Sequence, residues 1–152
     1  MPTAIENVQI ATIVHNALYN NTDKSLQDVA YQYIHPYCEF IDPMVHCKNK
    51  NELVMNFLLV CYLHPESKIN HTTSEKGIVI IDAVITYWLV FIPLRIRQLS
   101  KIRVNEGKCV KIEDIWSVND MLKGLPIIGY FIQFYQFIFG YLVSTLAYAI
   151  NK

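Results

Sequence analysis

GIVIIDAVITYWLVF, Gly77 to Phe91, supports two incompatible folds. Extended to Leu94, the stretch has one charged residue and approaches the ~20 apolar residues that cross a bilayer as a helix. A helical reading would leave Asp82 near the centre of the hydrocarbon, where a carboxylate is costly. The density of Val, Ile, Thr, Tyr and Trp instead suits a pleated, half-buried chain. Read as a strand, the stretch predicts a β-sheet.

The residues that follow extend the sheet. LRIRQLSKIRV, Leu94 to Val104, alternates in polarity, and CVKIEDIWSV, Cys109 to Val118, alternates again after the turn-like NEGK. Three successive antiparallel strands are the economical reading. Upstream the period changes. From Thr3 to Asn20, Ile5, Val8, Thr12, His15 and Tyr19 fall on one helical stripe, with Ile13, Ala17 and Leu18 beside it. Ser25 caps a second helix, LQDVAYQYI, with Asp28 three residues on and Pro36 closing it. YCEFIDP, Tyr37 to Pro43, reads as a brief strand, and NKNELVMNFLLVCYLHP as a helix with Leu53, Phe57, Val60 and Cys61 on one face.

A chain of 152 residues suits one domain with an appendage. Its 53% hydrophobic content, mean hydropathy of +0.22 and 17% charged content leave more apolar surface than a soluble monomer ordinarily covers. Thirteen basic residues balance thirteen acidic ones, so no global field draws in nucleic acid, and none is expected as a partner. Cys38, Cys47, Cys61 and Cys109 are widely spaced without a CxxC pair, and no export signal is read at the amino terminus. A reducing, cytosol-facing setting on an intracellular membrane is the expectation. The acceptor patterns at Asn20 and Asn70 are accordingly read as chance, and the histidines and cysteines lack metal-ligand spacing.

Helix, short helix, strand with an Asp-Pro exit, helix and three-stranded meander is an order that resembles the NTF2-like superfamily, which includes SnoaL-like and ketosteroid-isomerase-like proteins. The likeness runs from Ala4 to Val118 and is most specific at FIDP, Phe40 to Pro43, and EDIW, Glu113 to Trp116. EDIW followed by LKGLPIIGYF is also similar to a eukaryotic subgroup with an apolar carboxyl-terminal helix, although Ile112 stands where a polar aromatic is expected. The resemblance implies an α+β, cystatin-like cone: a curved antiparallel sheet wrapped around the amino-terminal helices, with an apolar pocket. It implies no single function, because members include enzymes and inert binding or dimerisation modules.

Three acids attract attention, Asp42, Asp82 and Asp114. A carboxylate among Ile, Val and Trp has its charged form disfavoured and is suited to proton transfer. Strand parity places Val110, Ile112, Asp114 and Trp116 on one face, assigned to the pocket, with Glu113 pointing away. His15 and Tyr19, four apart on the first helix, are candidates to face the same pocket. The catalytic candidates are thus Asp114, Asp82, His15 and Tyr19, and the ligand-binding ones Trp116, Asp114, Ile112, Tyr19 and His15. The plainer alternative is that these polar groups only satisfy one another in a core. Arg95, Arg97, Lys101 and Arg103 share the opposite parity from Ile96, Ile102 and Val104, giving a basic face that is either solvated or turned to anionic lipid.

From Gly124 to Asn151 there is no Asp, Glu, Lys, Arg or His. Gly129, Gln133, Gln136, Gly140, Ser144, Ala147 and Asn151 recur at helical steps, leaving Phe, Tyr, Ile, Leu and Val around the rest of the circumference. Such a helix suits a bilayer through Phe131, Phe134, Phe137, Ile138, Tyr141 and Leu142, with the Gly140 and Ser144 face free to dock on a second copy. The alternative is burial within a soluble dimer. Residues 1–120 are therefore expected to form the NTF2-like domain and 121–152 a membrane-anchoring or docking helix. The expected function is non-catalytic binding of a lipid-like or other hydrophobic small molecule, or a protein partner, at a membrane, without cofactor or metal. The alternatives are a SnoaL-like or isomerase-like enzyme with a buried Asp, and a homodimeric interaction module.

Overall fold

In the computed structural model, residues 3–20 and 26–123 are described, together with Phe134 and Ile138. The chain divides into two compact units, Met1–Ser117 and Val118–Lys152. The first opens with α1, Ala4–Tyr19, whose start is fixed by a capping box: Thr3 Oγ1 accepts from the Glu6 amide at 3.2 Å while Glu6 Oε2 accepts from the Thr3 amide at 2.6 Å. Its buried side is Asn7, Ala11, Val14, His15, Ala17, Leu18 and Tyr19. Ile5 is exposed, a correction to the expected stripe: in the first turn the helix overhangs the core, and only residues from Asn7 on are covered.

After α2, Leu26–Tyr33, the chain passes directly into β1, Ile34–Ile41, two residues before Pro36. The residue before a proline is pushed to extended backbone, so the helix stops early. Pro36 itself sits where the pairing of β1 with its neighbour shifts register, between Ile34 and Glu39, the kind of irregularity at which a missing amide is tolerated. Ser25, the expected cap of α2, lies outside the described residues. The two-residue β2, His46–Cys47, pairs back on β1 after a turn held by Asp42, whose Oδ1 accepts from the Met44 and Val45 amides at 2.7 and 2.6 Å. α3, Lys50–Val60, is capped by Asn49 and buries Leu53 and Phe57. A short 3-10 turn, Cys61–Leu63, follows it.

The rest of the unit is sheet: β3, Glu66–Glu75, β4, Ile78–Leu89, β5, Ile92–Asn105, and β6, Lys108–Ile115. Gly77 to Phe91 is strand and turn, not membrane helix. Among the described residues six strands form one sheet in the order β2-β1-β6-β5-β4-β3. Two features differ from expectation. The meander has four strands, because ESKINHTTSE forms β3, whose polar composition carries no alternating signal. The sheet is also not wholly antiparallel, since β1 pairs with β6 in parallel.

The inner face of this curved sheet meets the helices. Ile81, Ile85, Ile102, Ile112 and Phe40 from the strands pack with Leu18, Leu53 and Phe57 from α1 and α3, all fully buried. Each such side chain contributes roughly 1.5–3 kcal/mol by leaving water. On the outer face Arg95, Arg97 and Arg103 are exposed, opposite buried Ile96, Ile102 and Val104, as their parity predicted.

In the second unit, α4 spans Val118–Lys123. Phe134 and Ile138 are helical and exposed. Phe131, Phe137, Gly140, Tyr141, Leu142 and Ser144 lie outside the described residues. Among the described residues no helix is long and apolar enough to cross a membrane.

Candidate functional site

The last turn of α1 places His15 and Tyr19 on one side of the helix, and that side faces the inner surface of the sheet. Asp114 reaches the same region from β6 and is 3% exposed. The Tyr19 hydroxyl donates to Asp114 Oδ2. Thus two residues 95 positions apart in sequence form the polar centre of an apolar interior. Aromatic contacts hold Tyr19 in place: its ring lies 5.0 Å from the His15 ring and 5.2 Å, edge-on, from Phe57, which meets Phe40 edge-on at 5.1 Å.

Two polar residues of β5 complete the cluster. Ser100 is the cross-strand partner of Asp114, and Gln98 Nε2 donates to Ser100 Oγ at 3.0 Å. Both are buried. His15 looks the other way for its partner, with Nε2 2.8 Å from Ser67 Oγ on β3. Tyr87 on β4 and Asp42 at the end of β1 lie within electrostatic reach of Asp114.

Burial dominates the ionisation of the cluster. Desolvation pushes the Asp114 carboxyl up to about 6, the charge of Asp42 adds to that rise, and the hydrogen bond from Tyr19 together with the nearby polar groups of Ser100 and Gln98 opposes it. Desolvation lowers His15 to about 4, so its imidazole is neutral at pH 7. The Tyr19 phenol is raised well above 10 by burial and then by the Asp114 charge, and Tyr87 is raised for the same two reasons. Tyr19 is therefore a hydrogen-bond donor rather than a phenolate. Asp114 is the one group of the cluster that changes charge near neutrality.

Two polar atoms in this region have no hydrogen-bond partner among the described residues, Asp114 Oδ1 and His15 Nδ1. Ser100 and Gln98 stand close enough to Asp114 to lower its pKa, yet neither makes a bond of good geometry to Oδ1. A buried acceptor left unpaired costs about 1–3 kcal/mol. The cluster thus keeps two buried polar atoms whose hydrogen-bonding capacity is unused among the described residues.

The sequence candidates separate cleanly. Asp114, Tyr19 and His15 come together with Ile112, which is buried beside Asp114 on the inner face. Trp116 continues their parity but lies just past the end of β6 and is only half-buried. Val110 does not share that face. The β5–β6 pairing shifts between Arg103 and Val104, so Cys109 turns inward and Val110 occupies the irregularity. Asp82 is on the outer face, held by a two-point pair with Arg97, whose Nη2 is 2.8 Å from Oδ2 and Nε 3.2 Å from Oδ1. The Arg97 hydrogen bonds keep its carboxyl below the usual carboxylate range, the opposite of what a buried base needs. Asp42 spends its Oδ1 on the turn after β1.

Gln98, Ser100, Ser67 and Tyr87 escaped the sequence reading. The first two did leave a signal: they interrupt the apolar parity Leu94, Ile96, Ile102, Val104. Two successive polar residues on a core-facing stripe mark a place where the core needs hydrogen bonds. No group of three or more His, Cys, Asp or Glu suited to a metal ion occurs among the described residues.

No protein-family model and no curated protein sequence matches the chain. Solved structures do. An LEH-like epoxide hydrolase of M. tuberculosis matches with a TM-score of 0.72 at 17% identity, over 82% of this chain and 92% of that one. A protein of Jannaschia sp. CCS1 described as a SnoaL-like polyketide cyclase matches with 0.68 at 12% identity, over 82% and 94%. A protein of Catenulispora acidiphila with a ketosteroid-isomerase-like fold, solved with trimethylamine, matches with 0.65 at 14% identity, over 78% and 94%. At these identities the likeness concerns the fold, a mixed α+β arrangement of the NTF2-like kind.

Proposed function

We propose that the chain is a non-catalytic, membrane-associated binding module that holds a hydrophobic, lipid-like molecule inside the Met1–Ser117 unit and grips its polar group with Asp114, Tyr19 and His15. The observation that carries this reading is the pair of unpartnered atoms, Asp114 Oδ1 and His15 Nδ1, in surroundings otherwise furnished by Ile112, Phe40 and Phe57. A ligand hydroxyl can donate to Oδ1, while the neutral imidazole, through whichever tautomer Ser67 selects, donates to or accepts from a neighbouring oxygen. Binding of an otherwise apolar molecule then combines burial of its surface with one well-placed polar contact. Protein partners recognised through the same apolar surroundings fall within this reading.

Attachment to a cytosol-facing intracellular membrane rests on the uncharged run Gly124–Asn151, as in NTF2-like proteins with an apolar carboxyl-terminal helix. Native mass spectrometry and solvent extraction of the chain purified from its host membranes test the binding reading. The expectation is a co-purifying hydrophobic compound in near-stoichiometric amount, depleted in Asp114→Asn and Tyr19→Phe. Recovery of an empty, detergent-free protein rules the reading out.

A second reading is proton transfer on a hydrophobic substrate with Asp114 as base, in the manner of SnoaL-like and isomerase-like proteins. It is favoured by the burial of Asp114 beside the Tyr19 hydroxyl, which raises its carboxyl to about 6. A base poised near the working pH is both ionised and able to take a proton. Deuterium exchange alpha to the carbonyl of apolar ketones distinguishes the two, since a pure binding module leaves the exchange rate at its solvent value.

A further inference from the structure

The turns of the meander obey different rules. Between β3 and β4 the turn is Lys76-Gly77, with φ of 50° and 77°, and between β5 and β6 it is Glu106-Gly107, with 49° and 77°. Both have the two positive φ angles and the glycine that a tight hairpin favours. Between β4 and β5 the turn is Val90-Phe91, with Val90 at φ 61°. A β-branched residue is strained there. The same two side chains are 83% and 90% exposed, with Trp88 and Ile92 partly exposed beside them. Strain and exposed apolar area at one tip conflict with what stability of the hairpin alone would select.

Beyond the tip the surface is mixed in polarity. Trp88 and Val90 share a shallow groove with His64, Pro65, Glu66 and Asn20. His64 also borders the neighbouring groove, where Met55, Leu59 and Tyr62 are exposed. Among the described residues, the groups at this end that can carry charge include His64, Glu66 and, on the strand behind the tip, Arg95. β6 runs back along β5 from Lys108 to Ile115, which pairs with Leu99, so it heads toward the β4–β5 end of the sheet.

We propose that the Val90–Phe91 tip inserts into the headgroup–acyl boundary of a lipid bilayer, with Trp88 and Tyr62 at interfacial depth and Arg95 toward the phosphates, as a contact separate from the carboxyl-terminal run. The inference rests on the membrane reading above for the presence of a bilayer. Trp88 and Tyr62 flanking the apolar Val90 and Phe91, with the Arg95 cation adjacent, suit a lipid–water interface.

The test uses the full chain with Trp116→Phe, which leaves Trp88 as the single tryptophan, in vesicles of phosphatidylcholine and phosphatidylserine with and without brominated acyl chains. Brominated lipid is expected to quench Trp88 emission relative to unbrominated vesicles, as for an aromatic at the lipid–water interface. Val90→Gly with Phe91→Asn, a relaxed and polar turn, is expected to abolish the quenching while the protein still floats with vesicles and unfolds at a higher temperature. Should Trp116→Phe fail to fold, an environment-sensitive dye on Phe91→Cys in a Cys61→Ser background gives the same reading by a blue shift on adding vesicles. Floating protein with unquenched Trp88 overturns the tip inference and leaves the membrane reading standing, whereas protein that never floats overturns both. Quenching that survives the polar turn, or a tip covered by a co-purifying protein in place of lipid, also overturns it.

Discussion

Asp114 and His15 sit in one cluster and respond to acid in opposite senses. Asp114 is raised from 3.8 to about 6, so the fold prefers its protonated form. That preference is fully expressed below pH 3.8 and is lost as pH rises through 6, a swing of about 3 kcal/mol. His15 is lowered from 6.5 to about 4, so the fold prefers the neutral ring. This preference is complete above pH 6.5 and is lost as pH falls through 4, again by about 3 kcal/mol. In the intact protein the two largely cancel between pH 4 and 6.5. Denaturant midpoints measured across that window should therefore diverge in the single variants: Asp114→Asn loses stability toward acid, and His15→Gln gains it. Tyr19→Phe removes a donor from the ionised carboxylate, which should cost about 1.5–3 kcal/mol at pH 7 and raise the Asp114 titration further, as followed by its carboxyl carbon resonance. These three residues were legible because helical spacing and strand parity act locally. Asp82 misled because its apolar neighbours belong to the chain while its actual environment is set by Arg97, fifteen residues away across a strand pair. Ser67 was invisible for the same reason, since its role depends on where β3 docks.

At the level of elements, the turns carry the sharpest expectations. Val90→Gly should stabilise the protein by about 1 kcal/mol by releasing the positive-φ strain, seen as a higher urea midpoint. Gly107→Ala should do the reverse by about 1 kcal/mol, because at φ 77° the penalty is conformational and a methyl group there meets nothing within 4 Å. An unchanged midpoint in both would mean that these turns relax at no cost. Strands β4, β5 and β6 could be read from alternation because one face is covered and the other is wet. β3 could not, since a polar edge strand is defined by its pairing with β4 and not by its own composition. The inward turn of Cys109 was hidden too: a register shift moves a residue to the other face without changing the sequence pattern that precedes it.

For the whole molecule, the claim is that an NTF2-like unit serves a hydrophobic ligand beside a bilayer. Retention of the chain in membranes after an alkaline carbonate wash is the expected outcome, whereas complete release to the supernatant contradicts integral attachment through residues 124–151. The order of elements could be read along the first unit apart from β2 and β3, yet the ligand's chemistry could not, because the unpartnered atoms at Asp114 and His15 exist only once α1 and β6 are packed together. The most direct measurement is a titration of the Asp114 carboxyl carbon by NMR in protein stripped of lipid and in the same protein reloaded with its own solvent extract. The account predicts a midpoint near 6 in the stripped form and a displaced one on reloading, as a ligand hydroxyl engages Oδ1. Superimposable titration curves in the two forms would contradict it.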